Sequence, residues 1–237
     1  MRSPEHAFTR LELAAVVAAL ALLGTLALPL LAATRADSDR AGCFNNLRLF
    51  GRAAHLWAED HTGTLPWLTS TAEGGTRQSG IANIPLVWTH FIALTNELPG
   101  PRVLACPSDP TVKAAAHWGN TANGLANTGL RNNAISYFLG LHGHPGLPRS
   151  VITGDRDFTV TTLPPNDCSR GYANTARIFA NQGAPLRWTN AVHGGGAGHL
   201  LFADGGVDFT SSVRLNSVLA GPEMQNDNVV IHLSNPR

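Results

Sequence analysis

The chain has 237 residues, of which 43% are hydrophobic and 14% are charged, and its formal net charge is +1. This length provides for one domain, or two, with a substantial core. The near-neutral charge excludes nucleic-acid binding through bulk electrostatics, because the chain has no excess of cations for a phosphate backbone. The distribution of hydrophobicity is more informative, since many apolar residues stand in one uncharged run near the N-terminus.

That run covers residues 13–33 and contains 21 residues without a charge. About 20 apolar residues cross a bilayer as a helix, whereas a secretory signal has a shorter apolar stretch and a small-x-small cleavage site. The residues before Thr34 fit such a site poorly. The sequence therefore predicts a retained membrane helix. The alternative is a secreted enzyme behind a signal peptide, with its mature start near Thr34.

Two residues of this segment are unusual. Pro29 lacks an N–H and is predicted to kink or locally open the helix. Glu12 stands at the edge of the apolar run, where an ionised carboxylate is costly unless it is paired. Either Glu12 is the last interfacial residue before the membrane, or it needs a cation from another chain.

The residues around Glu12 resemble the processing site of type IV prepilins and type II secretion pseudopilins. In that family a short leader ends in Gly, the next residue is usually Phe, and Glu is fifth in the mature chain. Counting Phe8 as first, Glu12 is fifth and Pro29 is twenty-second, where the family carries its helix-kinking proline. The chain departs from the pattern at Ala7, which replaces the Gly, and at Arg10, which takes a normally apolar position.

The resemblance implies that a prepilin peptidase cuts between Ala7 and Phe8 and methylates the new amine. Other pseudopilin subunits and the assembly platform of a secretion system are the further partners it implies. Within a filament, the Phe8 amine of one subunit would neutralise Glu12 of its neighbour, and loss of either group would leave a buried charge unpaired. The implied location is the inner membrane, single-pass with the C-terminal domain periplasmic, and then a periplasmic filament.

An apolar stripe at helical spacing continues beyond the membrane segment through Leu47, Phe50, Ala54 and Trp57. The residues 60–63, Asp-His-Thr-Gly, predict the end of this helix. Together with the resemblance, which implies the leader and the assembly role, these signals divide the chain into a leader (1–7), a membrane and assembly helix (8–33), the periplasmic half of the helix (34–60) and a globular domain (61–237). By resemblance, the fold class is α+β and pilin-like: a long N-terminal membrane-spanning helix packed on a small antiparallel β-sheet domain.

Four stretches resemble motifs of a pseudopilin-like family abundant in planctomycete and verrucomicrobial genomes. They are the C-F-N-N-L-R and D-H-T-G-T-L-P pair at 43–48 and 60–66, C-P-S-D at 106–109, S-Y-F-L-G with G-D-R at 136–140 and 154–156, and an H-x9-D-G-like motif from His193 to Gly205. The last has ten residues between His193 and Asp204, one more than the family pattern.

Local patterns also predict the elements of the globular domain. Residues 84–94 have helical spacing, 103–109 read as a short strand ending in a turn, and 135–139 and 150–153 are strand candidates. Residues 199–203 and 206–210 flank Asp204-Gly205 and predict a hairpin with a type I′ turn, in which both turn residues need positive φ. Residues 212–219 are a candidate closing helix.

The metal candidates are His193, His199 and Asp204, and Asp204 with Asp208 is a candidate oxygen pair for calcium, which some major pseudopilins hold in a C-terminal loop. No H-x-x-x-H or paired C-x-x-C spacing supports zinc, and two carboxylates fall short of the roughly 6–8 oxygens that calcium takes. Hydrogen bonding or turn formation is the favoured role, and no cofactor is expected. The absence of a G-x-S-x-G elbow and of a phosphate loop predicts that the protein is not an enzyme.

Three cysteines, at 43, 106 and 168, fall on the side expected to face an oxidising compartment. They allow three single pairings with one cysteine left over. Because Cys43 and Cys106 both stand in family-like motifs, the hypothesis is a Cys43–Cys106 disulfide that pins the helix to the body. The alternative is that all three are small packing residues.

The sequence thus predicts a structural pseudopilin-like subunit of a type II secretion or type IV pilus-like filament. The rival hypothesis is a membrane-tethered periplasmic binding module that does not polymerise and displays the loops at 69–83 and 117–131 to a ligand.

Overall fold

The computed structural model describes residues 9–77, 87–159, 177–179, 185–221 and 230–232. The predicted cleavage residues Ala7 and Phe8 and the third cysteine, Cys168, lie outside the described residues. The chain divides into two compact units, Met1–Asp39 and Arg40–Arg237.

The first helix, α1 (Arg10–Asp60), is one continuous stretch of 51 residues with Pro29 inside it. Its start is a capping box: Thr9 Oγ1 accepts from the Glu12 N–H at 3.3 Å, and Glu12 Oε2 accepts from the Thr9 N–H at 2.9 Å. Its end has left-handed backbone at Thr62 (φ 56°) and Gly63 (φ 76°), and the Gly63 N–H returns to the Ala58 carbonyl at 2.8 Å. The predicted stop at 60–63 is therefore confirmed.

Within the first unit, the apolar part of α1 has its large side chains exposed. Among the described residues, α1 is the one helix long and apolar enough to cross a membrane by length and composition, and its most apolar window is not buried. This supports membrane anchoring of the chain through its N-terminal helix.

The second unit is built on antiparallel strands, whose bounds are β1 (Tyr137–Gly140), β2 (Val151–Asp155), β3 (Phe158–Thr159), β4 (Arg177–Phe179), β5 (Arg187–Trp188), β6 (Ala197–Phe202), β7 (Val207–Ser211) and β8 (Val230–His232). Six of them form a sheet in the order β4-β8-β1-β2-β6-β7, and β3 pairs with β5 separately. Two further helices are α2 (Val87–Ile92) and α3 (Ser212–Leu219). The chain is therefore an α+β protein with a long apolar N-terminal helix and a small antiparallel sheet, as predicted.

Successive strand residues point to opposite sides of the large sheet, and strands β1, β2 and β6 carry buried apolar residues on both faces. One face packs against the last part of α1, with Tyr137, Leu139, Ile152 and Leu201 among its buried residues. The α1 residues buried in this unit are Cys43, Leu47, Phe50, Gly51, Ala53, Ala54, Trp57 and Ala58. A Cβ on Gly51 would lie 3.0 Å from Leu201 Cδ1, so this glycine permits the close approach of helix and sheet.

The other face carries Phe138, Leu200 and Phe202, which pack with Leu215 and Leu219 of α3. The bounds of α3 confirm the helix predicted at 212–219. Helix α2 confirms the central part of the prediction at 84–94, of which 84–86 lie outside the described residues.

Two local predictions are wrong. Residues 103–109 do not form a strand: Pro101–Leu104 is a short 3-10 helix, and Cys106-Pro107-Ser108-Asp109 closes a turn in which the Asp109 N–H donates to the Cys106 carbonyl at 2.9 Å. Proline at the start of the 3-10 helix and at 107 removes N–H groups that a strand needs for its ladder.

The hairpin of β6 and β7 is confirmed, but its turn is not type I′. Of the two predicted turn residues only Gly205 has a positive φ, at 81°. The Gly205 N–H donates to the Phe202 carbonyl at 3.0 Å, and the Phe202 N–H donates to the Gly206 carbonyl at 2.9 Å. This is the pattern of a three-residue loop in which a left-handed glycine forms a bulge.

Candidate functional site

Three residues from two separate motifs meet in the core between the sheet and α1. Asp155 ends β2, and His199 lies on the neighbouring strand β6, where Gly154 is paired with Leu200. His193 comes from the glycine-rich loop that precedes β6, and its ring is 4.9 Å from that of His199. We call Asp155, His193 and His199 the buried Asp–His centre; each is at most 3% exposed.

One oxygen of Asp155 receives three contacts. Its Oδ2 lies 2.6 Å from the His199 backbone N, 2.9 Å from His199 Nδ1 and 3.1 Å from His193 Nε2. Its Oδ1 is buried and has no hydrogen-bond partner within the described part of the chain. The centre therefore carries one fully occupied carboxylate oxygen beside one unoccupied oxygen.

The charge of Asp155 governs the electrostatics of this region. Burial by itself would raise the pKa of Asp155, but hydrogen bonds from His193 and His199, together with their charge, outweigh burial and hold that pKa below its ordinary value. On the adjacent strand, burial and then the charge of Asp155 raise the pKa of Tyr137 well above its ordinary value. The site thus favours a carboxylate and disfavours a tyrosinate.

A second buried carboxylate, Asp109, belongs to the C-P-S-D motif and pairs with the G-D-R arginine. Arg156 Nη2 lies 3.1 Å and Nε 3.2 Å from Asp109 Oδ2. Thr111 donates to the other oxygen through its N–H at 3.0 Å and its hydroxyl at 2.7 Å. Burial would raise the pKa of Asp109, but the bonds from Thr111 and the charge of Arg156 bring it below its ordinary value.

Cys43 and Cys106 are joined by a disulfide, the pairing that the sequence analysis hypothesised. Their Cα atoms are 4.8 Å apart and their positions differ by 63 residues. Cys106 Sγ is 3.7 Å from His193 Nε2, so the disulfide lies directly beside the buried Asp–His centre. The bond connects α1 to the C-P-S-D turn within the second unit.

The four residues proposed for metal binding separate into two places. His193 and His199 meet in the core, whereas Asp204 and Asp208 lie at Arg149, whose Nη1 is 3.6 Å from Asp204 and whose Nη2 is 2.9 Å from Asp208. Asp204 is beyond the end of β6, so it does not reach the histidines. The Arg149 guanidinium already supplies the positive charge that this carboxylate pair would take from calcium.

Sequence reasoning missed Asp155 as the third member of the centre. The residue stood in the recognised G-D-R motif, but only the pairing of β2 with β6 brings it to His199. Reasoning also missed the capping role of Glu12, although Thr9-Arg10-Leu11-Glu12 is a readable T-x-x-E capping box.

We expect the second unit to lose stability in acid below about pH 4. The folded-state pKa values of Asp109 and Asp155 lie below the ordinary 3.8. Their contribution to the free energy of unfolding is therefore fully present above the unfolded-state pKa and is lost as the pH falls through the folded values. Urea midpoints measured between pH 7 and pH 2 test this. Asp109→Asn should reduce the fall of the urea midpoint in acid, whereas Asp208→Asn should leave this fall as it is in the wild-type protein. An equal dependence of the urea midpoint on pH in the wild-type protein and in both variants would contradict the role given to Asp109.

Fold and site together define an α+β protein with a long apolar N-terminal helix and a disulfide-linked body that encloses a buried Asp–His centre. No protein-family model, no curated protein and no solved structure matches the chain.

Proposed function

We propose that the protein is a structural pseudopilin-like subunit, processed by a prepilin peptidase, held in the inner membrane by α1 and then incorporated into a type II secretion or type IV pilus-like filament. The observation that carries the proposal is the exposure of the apolar part of α1. Its large side chains, such as Leu20, Leu26 and Leu30, are each more than 60% exposed. Apolar surface on this scale is unstable in water and requires lipid or other helices as cover.

The length of α1 supports the same function. At about 1.5 Å per residue, 51 residues extend about 75 Å, more than twice the hydrocarbon thickness of a bilayer. The apolar part suffices for one crossing, and the buried residues from Cys43 to Ala58 belong to the core of the second unit. In a filament, the apolar segment would exchange lipid for the same segment of neighbouring copies.

The second candidate, a membrane-tethered binding module that does not polymerise, is favoured by the surroundings of Glu12. Its carboxylate accepts the Thr9 N–H at 2.9 Å and the Thr9 hydroxyl at 2.8 Å, so it is satisfied within its own chain. A tether needs no more than this capping box. A filament subunit requires in addition that the Glu12 charge attract the Phe8 amine of the neighbour.

Glu12→Gln separates the two functions. Glutamine keeps an oxygen that caps the Thr9 N–H, because the capping box accepts Glu or Gln, but it removes the negative charge. We expect Glu12→Gln to abolish filament assembly in cells that supply the peptidase and the assembly platform, while the level of membrane-bound protein is unchanged. Sheared filament yield and electron microscopy measure the result.

Thr9→Val is the matched control for this experiment. It removes the hydroxyl that contacts both the Glu12 N–H and the Glu12 carboxylate but retains the Glu12 charge. A filament subunit should assemble when it carries Thr9→Val and fail when it carries Glu12→Gln, whereas a tether should tolerate both substitutions. N-terminal sequencing of the membrane-bound protein completes the test, because a start at Thr34 or an intact Met1 would refute processing before Phe8.

A further inference from the structure

We propose that the buried Asp–His centre is a binding site for a divalent transition-metal ion of the zinc type, with Asp155, His193 and His199 as its protein ligands. The ligand atoms of these three residues all lie within 4.8 Å of one another. Two imidazoles and one carboxylate are a donor set that zinc accepts. This site differs from the set predicted from the sequence, because Asp155 takes the place of Asp204 and Asp208.

The distances within the centre fit a metal after a small expansion. Ligands about 2.0–2.1 Å from zinc in a tetrahedron stand about 3.3 Å from one another. Asp155 Oδ2 is 2.9 Å from His199 Nδ1 and 3.1 Å from His193 Nε2. These two separations need to change by only a few tenths of an ångström. The two histidine ring nitrogens lie within 4.8 Å of each other, and His193, which lies in a loop rather than in a strand, would move to bring them to the tetrahedral separation.

The unoccupied oxygen of Asp155 is the independent indication of a ligand. A buried polar atom without a partner costs free energy, and nearly all such atoms in folded proteins are satisfied. Oδ1 of Asp155 is buried and has no hydrogen-bond partner among the residues described, although Oδ2 of the same carboxylate has three contacts. An ion bound through Oδ2 would also have Oδ1, the second oxygen of the same carboxylate, within reach.

The charge balance also favours a cation. The buried carboxylate of Asp109 has the permanently charged Arg156 at 3.1 Å. Asp155 has only the two imidazoles as ion-pair partners within the described ranges, and neither imidazole carries a fixed charge. A divalent ion would supply the positive charge that arginine supplies to Asp109.

The surroundings define the kind of ion and its access. Calcium takes about 6–8 oxygen ligands and does not match two imidazoles, so a zinc-type ion is indicated. Cys106 lies beside His193 but is bonded to Cys43, so its sulfur is not a thiolate ligand while the disulfide is intact. Gly194 and Gly195 next to His193 are exposed, and this loop is the route by which an ion would enter.

The test is a titration of the full-length, metal-stripped protein in detergent with its disulfide intact. We expect one equivalent of Co²⁺ to bind with a tetrahedral visible spectrum that lacks a sulfur-to-cobalt charge-transfer band, and one equivalent of Zn²⁺ to displace it. Asp155→Asn and His193→Gln should each weaken binding about tenfold or more, whereas Asp208→Asn should not change it.

The spectrum of the wild-type protein keeps the proposal falsifiable if Asp155→Asn does not fold. Absence of stoichiometric Co²⁺ binding by the wild-type protein would overturn the proposal. Binding that appears only after reduction, with a thiolate charge-transfer band, would overturn it as well, because the ligands would then be Cys43 and Cys106. Loss of binding has no bearing on filament assembly, so the result is independent of the proposed function.

Discussion

Replacing both Cys43 and Cys106 with alanine is expected to lower the free energy of unfolding by about 4 kcal/mol. The disulfide closes a loop of 63 residues. In the chain-entropy model, a cross-link over this length lowers the conformational entropy of the unfolded chain, which stabilises the folded state by about 4 kcal/mol. Both side chains are buried in the core of the second unit. Urea denaturation of the detergent-solubilised protein, followed by tryptophan fluorescence, measures the change.

A reducing agent provides the control for this prediction. It should shift the wild-type midpoint most of the way to that of the double variant and should leave the double variant unchanged. A difference below about 1 kcal/mol between wild type and double variant, with no effect of reductant on either, would show that this disulfide does not form in the protein.

The second large effect is expected for Asp109→Asn, which should cost about 3–5 kcal/mol. The substitution removes the carboxylate that pairs with the Arg156 guanidinium, whose side chain is 5% exposed, and loss of one partner of a buried ion pair is strongly destabilising. Arg156→Met in the Asp109→Asn background should recover part of the loss, since it removes the buried guanidinium charge as well. Thermal unfolding monitored by circular dichroism gives the comparison.

The chain offers a matched control in the Arg149–Asp208 pair. Its N–O distance of 2.9 Å is as short as that of the buried pair, but its side chains are 42% and 40% exposed. Asp208→Asn should therefore cost less than about 1 kcal/mol, because solvent screens the pair and hydrates either partner alone. Similar costs for Asp109→Asn and Asp208→Asn would contradict the role assigned to burial.

The contacts behind these two predictions come from the same sequence motifs of the second unit. The C-P-S-D motif contributes Cys106 to the disulfide and Asp109 to the buried ion pair, and the G-D-R motif contributes Asp155 to the Asp–His centre and Arg156 to the same ion pair. Each motif thus places two residues in covalent or charged contacts that hold distant segments together. The motifs stabilise the body whether or not the centre binds a metal.

Local sequence signals were sufficient for the elements that depend on neighbouring residues. The apolar run and the stripe through Leu47 and Trp57 predicted one long helix, and the breaker residues at 60–63 predicted its end, because helical periodicity and termination are encoded within a few turns. The arms of the β6–β7 hairpin and the helix α3 follow from the same kind of local pattern. The capping box of Thr9 and Glu12 belongs to this class too, although its signal was overlooked.

Only the tertiary structure decided which distant residues share the core. Spacing along the chain associated Asp204 with His193 and His199, whereas the sheet order sets β2 beside β6 and brings Asp155 to His199, which is 44 residues away in the sequence. Strand order and register arise from the packing of the whole domain, so a local pattern does not contain them. The amino-acid sequence by itself determined the long helix and the hairpin, and the pairing of β2 with β6 created the site, because contacts between remote segments exist only once the chain is folded.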